Sequence, residues 1–387
     1  MNFNSFEGAI LGAVIGDALG VPAEFKSREE LRVCPVWDMI GGGIHNQPEG
    51  TWSDDTSMIL CTMDSMMAKG INYDDQMQRF SDWLWNAENT AHDEVFDVGG
   101  TTKHAIFKYV KKTPALECGE TAENTCGNGS LMRIMPTALY IWLRSETERL
   151  DDQAADIIHN TSKCTHAHPK CQVACGIYCS VVFRLLEGGD LKAAVYEGVE
   201  SALEYYRSKP EYVAVLPEFE TLREIGEWAE DDIQSTGYVI HTLQAALWCL
   251  LNTKDYSQCV LNAVNLGHDT DTTAAVAGAL AGLWYGSKQI PIEWERKTAK
   301  YEEIKARVRQ FYDVHKSSDY MTINLFDEVL LKNGQEAAII EVFSERDFMA
   351  DIGSGPEDWE TIDLTLDEIE KVLRPSNYCE KRTEEES

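Results

Sequence analysis

Apolar residues recur at three- and four-residue spacing from residue 5 to about 310, with few alternating runs, which predicts a chain built mostly of α-helices. The first helix carries Gly8, Gly12, Gly16 and Gly20 at four-residue intervals. Glycine weakens a helix, so a stripe of it predicts a neighbouring backbone packed unusually close. Further helices are expected over 54–69, 73–87, 101–111, 130–147, 151–164, 169–187, 190–207, 236–252, 256–265 and 271–285, and a charged one over ERKTAKYEEIKARVRQFYDVH. The expected fold is an all-α bundle filling a domain of residues 1–312.

The pattern changes after HKSSDY, which reads as a short linker. EVLLKNG, EAAIIEVF, DFMADIGSGPED and WETIDLTLDEIEKVL alternate and turn, with Gly334, Gly353, Gly355 and Pro356 as punctuation. A small β-rich domain of the SH3-like kind is expected over 321–377. A charged, disordered tail is expected over 378–387.

Composition narrows the function. With 387 residues, 44% of them hydrophobic, the chain can bury a large core. Its 34 Lys and Arg against 65 Asp and Glu give a formal charge of −31, which would repel a nucleic-acid backbone. The opening MNFNSFEGAILGAVIGDALG has no basic leader, and Asp17 interrupts its apolar run, so no membrane span and a cytoplasmic location are expected. Eleven cysteines are scattered without a secretory signal, as suits free thiols in a reducing compartment. Cys171, Cys175 and Cys179 share one helical face and are expected to be core rather than soft-metal ligands.

The candidate chemistry lies at two loop-to-helix junctions. LGHDTDTTAA places Asp269, Asp271 and Thr272 before an apolar helix, and GTWSDDTSM does the same with Ser53, Asp54, Asp55 and Thr56. Helix capping explains one acidic or hydroxyl residue at each, because first-turn amides lack partners. Two aspartates plus hydroxyls at each junction also form a set of hard oxygen ligands suited to Mg²⁺, Mn²⁺ or Ca²⁺. If the junctions converge, four carboxylates repel unless cations sit between them, and two metal ions match that charge. Asp269 and Thr272 fall on one helical face and Asp271 on another, so a bend in the loop is needed for all three to reach one centre.

Taken in order, GAILGAVIGDALGVPAEF, GTWSDDTSM, GNGSLMRIMP, a Thr-His pair and LGHDTDTTAAVAGALAGLWYG resemble the ADP-ribosylglycohydrolase family across residues 5 to about 300. The resemblance implies an all-helical enzyme with a binuclear Mg²⁺ or Mn²⁺ centre that removes ADP-ribose from modified side chains. It implies Ser53, Asp54, Asp55, Asp269, Asp271 and Thr272 as metal ligands. Glu24 and Asp97 fall where the family keeps acidic residues near the scissile bond, and with Asp55 they form the implied catalytic set. Gly127, Asn128, Gly129 and Ser130 read as a glycine-rich turn entering a helix, able to hold a pyrophosphate or to serve as an ordinary capped turn. Met132 and His166 match positions facing ADP-ribose; Arg133 is expected to be structural, paired with an acid. His168 has no family counterpart. His268 replaces a glycine beside the second acidic cluster and is expected to crowd the site or contact substrate.

The implied reaction needs a positioned water, charge stabilisation at an oxocarbenium-like carbon and a proton for the leaving group, which either Glu24 or Asp97 can handle. Arginine linkage is favoured, since Asp97 can receive a guanidinium. Serine-linked ADP-ribose is the alternative acceptor. In a different class of function, the chain would neutralise an ADP-ribosyltransferase by binding it.

Overall fold

The glycine stripe sets the arrangement of the helical region. In the computed structural model, which describes residues 2–145, 149–316, 323–344, 347–353 and 359–374, the stripe lies on α1 (Phe3–Gly20) and meets the backbone of Thr270–Tyr285. A Cβ on Gly8 would stand 2.1 Å from the Gly282 carbonyl oxygen, one on Gly12 2.3 Å from that of Gly278, and one on Gly16 2.1 Å from that of Ala274. One on Gly20 would stand 2.3 Å from the Asp271 Cα. Residue numbers rise along one helix as they fall along the other, so the pair is antiparallel and in backbone contact over four turns.

Between these two helices the chain forms α2 (Arg28–Val33), α3 (Asp54–Lys69), α4 (Tyr73–Asn86), α5 (Gly100–Val110), α6 (Met135–Ser145), α7 (Asp152–Lys163), α8 (Pro169–Glu187), α9 (Leu191–Arg207), α10 (Val239–Leu251) and α11 (Tyr256–Asn265). The apolar partner of α1 is α12, followed by α13 (Ile292–Lys297) and α14 (Tyr301–Lys316). Aspartates start several of them: Asp151, Asp190 and Asp255 accept the amides of Ala154, Ala193 and Gln258 at 2.8, 2.9 and 2.8 Å. Cys171, Cys175 and Cys179 are free, buried thiols on α8.

Four sequence expectations change. Residues 130–133 form turns rather than the start of the expected helix, and α6 begins only at Met135. The charged stretch 295–315 is two helices, because Ala299 is drawn into contacts with a distant loop: its amide donates to Gly50 O (2.9 Å) and its carbonyl accepts from Trp52 Nε1 (2.9 Å). The segment 213–232 holds three 3-10 helices that its spacing does not predict. Asp17 does not cut α1 short, because its carboxylate finds hydrogen bonds inside the fold; Phe3–Ala23 is therefore long and apolar enough to cross a bilayer, yet it lies almost wholly buried inside the fold.

The chain divides into two compact units, Met1–Asp64 with Tyr73–Lys316, and Ser65–Asn72 with Ser317–Ser387. The second contains one antiparallel sheet of β1 (Glu328–Leu331), β2 (Glu336–Val342), β3 (Asp347–Ile352), β4 (Glu360–Thr365) and β5 (Ile369–Arg374), in the order β4-β3-β2-β1-β5. Alternation places Val329, Leu331, Ile339, Phe348, Ala350 and Leu364 in a core of its own. Most of the expected linker and the whole tail 378–387 lie outside the described residues.

Candidate active site

Both acidic junctions end on helix N-termini, where unsatisfied amides favour carboxylates. The first opens α3 and the second opens α12. Helix α1 joins them. Gly20 packs on Asp271, while Asp17, three residues back, reaches the first junction: its carboxylate accepts the Ser53 amide (2.9 and 3.0 Å), the Thr56 amide (3.0 Å) and the Thr56 hydroxyl (2.6 Å). Asp55 Oδ2 then accepts the hydroxyls of Ser53 and Thr272, each at 3.1 Å, so the two junctions touch directly.

Asp17, Asp55 and Asp271 bring ligand oxygens within 4.8 Å of one another, all three buried. Asp55 Oδ1 and Asp271 Oδ2 are buried with no hydrogen-bond partner among the described residues. Burial first, then neighbouring carboxylates, holds Asp54, Asp55 and Asp271 well above the usual carboxylate range. Burial also raises Asp269, against the hydrogen bond from Asn128, and lifts Asp17 to about 6 despite its Thr56 and Ser53 bonds. Buried oxygens without donors, on like-charged groups, are what a hard cation satisfies, so this cluster is able to hold a metal ion.

A cavity of about 270 Å³ lies against the cluster. Of the sequence-predicted residues, Glu24, Asp54, Asp97, Gly127, Asn128, Gly129, Met132, His166, Asp269 and Thr272 line it. Ser53, Asp55 and Asp271 are buried beside it and reach it only through the cluster. Two residues stand apart. Ser130 is fully buried, its hydroxyl accepting from Ser162 at 2.9 Å, and does not line the cavity. His268 is exposed and lines a neighbouring cavity with Arg28, Arg32 and Asp231, because its backbone is clamped to Lys26 O and Phe25 N at 2.7 Å each.

The 127–130 turn does not enter a helix, so its expected dipole is missing. Asn128 ties it to the second junction instead, donating to Asp269 Oδ2 and Thr242 Oγ1 at 2.9 Å each. Gly129 keeps room for His166, since a Cβ there would come within 2.8 Å of its ring. Besides those of α3 and α12, the N-terminus of α5 faces the cavity, through Gly99, Gly100, Thr101 and Thr102.

Arg133 is buried and pairs with no acid among the described residues; it donates to Thr161 O (3.0 Å) and Thr165 Oγ1 (2.8 Å) and lies over the Phe80 ring. With Thr165 thus accepting, its own proton points to His166 Nδ1 at 2.8 Å. Burial and Arg133 push His166 down to about 3, so the ring is neutral and Nε2 carries its hydrogen.

Glu24 is buried, and burial, then Asp97 and Asp269, push it up to about 9. Its carboxyl, that of Asp97 and the His45 ring bring polar atoms within 4.8 Å of one another, and His45 Nε2 contacts its Oε2. Phe25 and Asp97, which both line the cavity, adopt positive φ (64° and 48°). For a phenylalanine this is strained backbone, and its clustering around one cavity suits a functional site. A third group, Glu123, Cys126 and His168, also clusters. There His168 caps α8, its Nδ1 accepting the Lys170 amide at 3.2 Å, so Nε2 bears the proton and faces Glu123 with no lone pair for a metal.

Sequence reasoning missed Asp17, His45 and the α5 N-terminus. A lone charge inside an apolar helix was the available signal for Asp17. No local pattern marks His45.

Fold and site together define a mostly helical protein with an acidic centre able to hold a metal ion beside a cavity of about 270 Å³. The chain belongs to the ADP-ribosylglycohydrolase family, whose model matches residues 2–320. It is similar to the ADP-ribosylarginine hydrolase Tri1 of Serratia proteamaculans, 32% identical over 318 residues, 81% of this chain and 80% of that protein. It also resembles the ADP-ribosyl-[dinitrogen reductase] glycohydrolase of Rhodospirillum rubrum, 30% identical over 75% of this chain and 88% of that protein. A solved structure titled ADP-ribosylglycohydrolase-related protein complex matches with TM-score 0.65 at 30% identity, over 81% of this chain and 98% of its own.

Proposed function

We propose that this protein hydrolyses the glycosidic bond between ADP-ribose and a modified protein side chain, arginine first, with two Mg²⁺ ions or Mn²⁺ in their place. The observation that carries the reading is the buried carboxylate cluster with two orphaned oxygens, set against a cavity that Glu24 and Asp97 also line. Ser53, Asp54, Asp55, Asp269, Asp271 and Thr272 would hold the metals, with Asp17 bracing the first junction. Metal ions held by these residues would supply a water of lowered pKa.

The chain's own residues do the rest. Glu24, at the cavity wall beside Asp97, gives a proton to the leaving nitrogen as the bond to the anomeric carbon breaks with its electron pair toward that nitrogen. The water oxygen bonds to the anomeric carbon, and the proton it loses returns to the Glu24 carboxylate. Asp97 receives the guanidinium of an arginine acceptor as a fork of donors. The amides at the start of α5 face the pyrophosphate, and His166 Nε2–H donates to the sugar or phosphate. Gly100 and Thr101 also border a cavity of about 480 Å³ with Lys103, His104 and Phe107, which suits the adenosine end.

We further take residues 1–312 as the catalytic domain and 321–377 as a separate SH3-like domain, supported by the β4-β3-β2-β1-β5 order and the 3-10 turn Leu366–Glu368 before β5. The ten described cysteines are free thiols, in keeping with a cytoplasmic location.

The test is release of free ADP-ribose from an arginine-ADP-ribosylated protein with Mg²⁺ and then with chelator, beside a serine-linked substrate. Metal-dependent release favouring arginine is expected. The transferase-binding alternative predicts protection against a transferase that survives Asp54→Ala; loss of protection with that change favours catalysis.

A further inference from the structure

Glu24 stands just after a one-turn 3-10 helix, Val21–Ala23. Its carboxyl group meets side chains from two other segments, Asp97 and His45. The turn that delivers His45 is built from glycines. Gly42 and Gln47 exchange backbone hydrogen bonds (2.7 and 3.2 Å), and Gly42 and Gly43 sit at φ +100° and +70°. A Cβ on Gly43 would come within 2.6 Å of Pro22 O, so the turn lies flat on the 3-10 helix that leads into Glu24.

The ring of His45 has two aromatic neighbours. Phe25 lies 6.2 Å away and Phe96 5.2 Å, centroid to centroid. Phe25 follows Glu24 and Phe96 precedes Asp97, so each acidic residue brings an aromatic neighbour that fixes the same imidazole. The His45 side chain is 16% exposed against 5% for Glu24, so it covers the carboxyl from the solvent side.

We propose that His45 is the positioning residue of this site: its Nε2–H holds one oxygen of Glu24, so that the other presents its proton to the bond being cleaved. The proposal rests on the functional reading above. A carboxyl group held at one oxygen keeps a single rotamer; released, it turns freely against Asp97, and proton delivery loses its geometry.

The experiment compares His45→Phe and His45→Gln with the wild type in ADP-ribose release, with melting curves and Mn²⁺ titration for each. Phenylalanine keeps a ring between Phe25 and Phe96 but has no donor; glutamine carries an N–H at similar reach. Expected for His45→Phe is a kcat roughly 10- to 100-fold lower with KM and Mn²⁺ affinity within about twofold, and for His45→Gln recovery to about half the wild-type kcat. Equal loss in the two variants, or no loss in His45→Phe, overturns the role while wild-type activity upholds the functional reading. A wild type that releases ADP-ribose from no linkage overturns both. Should His45→Phe not melt cooperatively, His45→Ala with added imidazole decides: restored kcat supports the role, and unrestored kcat overturns it.

Discussion

A carboxylate inside an apolar helix must find its partners within the fold, and Asp17 finds three donors on the loop that presents Asp54 and Asp55. Asp17→Asn keeps the shape but puts an amide N–H against those donors. Metal affinity should fall by roughly 10- to 100-fold, as for supports of other metal ligands, and calorimetric titration with Mn²⁺ reads it. Asp55→Asn should do two opposite things. It ends metal binding, and in chelator it stabilises the fold by roughly 0.5–2 kcal/mol, since one of the repelling buried carboxylates is gone; a lower chelated melting temperature would count against the repulsion argument. The aspartate pairs were legible in the sequence because each falls within a single helix-opening turn. Asp17 and His45 were not, since the groups they serve lie 36 and 21 positions away. His268 misled for the same reason: sequence puts it next to Asp269, while its backbone ties to Phe25 and Lys26 turn its side chain to another cavity.

Among elements, the α1–α12 seam sets the distance between the two junctions. Gly12→Ala would press a methyl group against the Gly278 carbonyl, and the expected cost is roughly 1–3 kcal/mol or more, read as a lower denaturant midpoint with unchanged slope. An unchanged midpoint would mean that the seam yields. The stripe was readable from its four-residue period, and α12 carries a matching one in Ala274, Gly278 and Gly282, but nothing local says that the two pair across some 250 residues. The helices that broke against expectation, over 130–134 and 298–300, did so where distant groups claim the backbone. Asn128 N donates to Gly237 O at 3.0 Å, and Ala299 N to Gly50 O at 2.9 Å. Local spacing contains no trace of either.

For the molecule as a whole, the raised carboxyls make stability depend on pH. Asp17 rises from 3.8 to about 6 and Glu24 from 4.5 to about 9, so between those values the folded, metal-free chain holds more protons than the unfolded one. Its stability is therefore full below about pH 4 on this count and is lost as pH climbs through about 6 and then 9. Metal takes the place of those protons, so melting temperature in chelator should fall across that range, and the gain on adding Mg²⁺ should grow with pH. Parallel curves with and without metal would refute this. The same seam also bears on synthesis. Gly20 and its hydrogen-bond partner Thr270 are 250 residues apart, so at about 5–20 residues per second the ribosome holds α1 without its mate for roughly 10–50 s. Throughout that wait an apolar helix of bilayer-spanning length is exposed in the nascent chain, and fragments ending before α12 should be recovered bound to chaperones or in inclusion bodies.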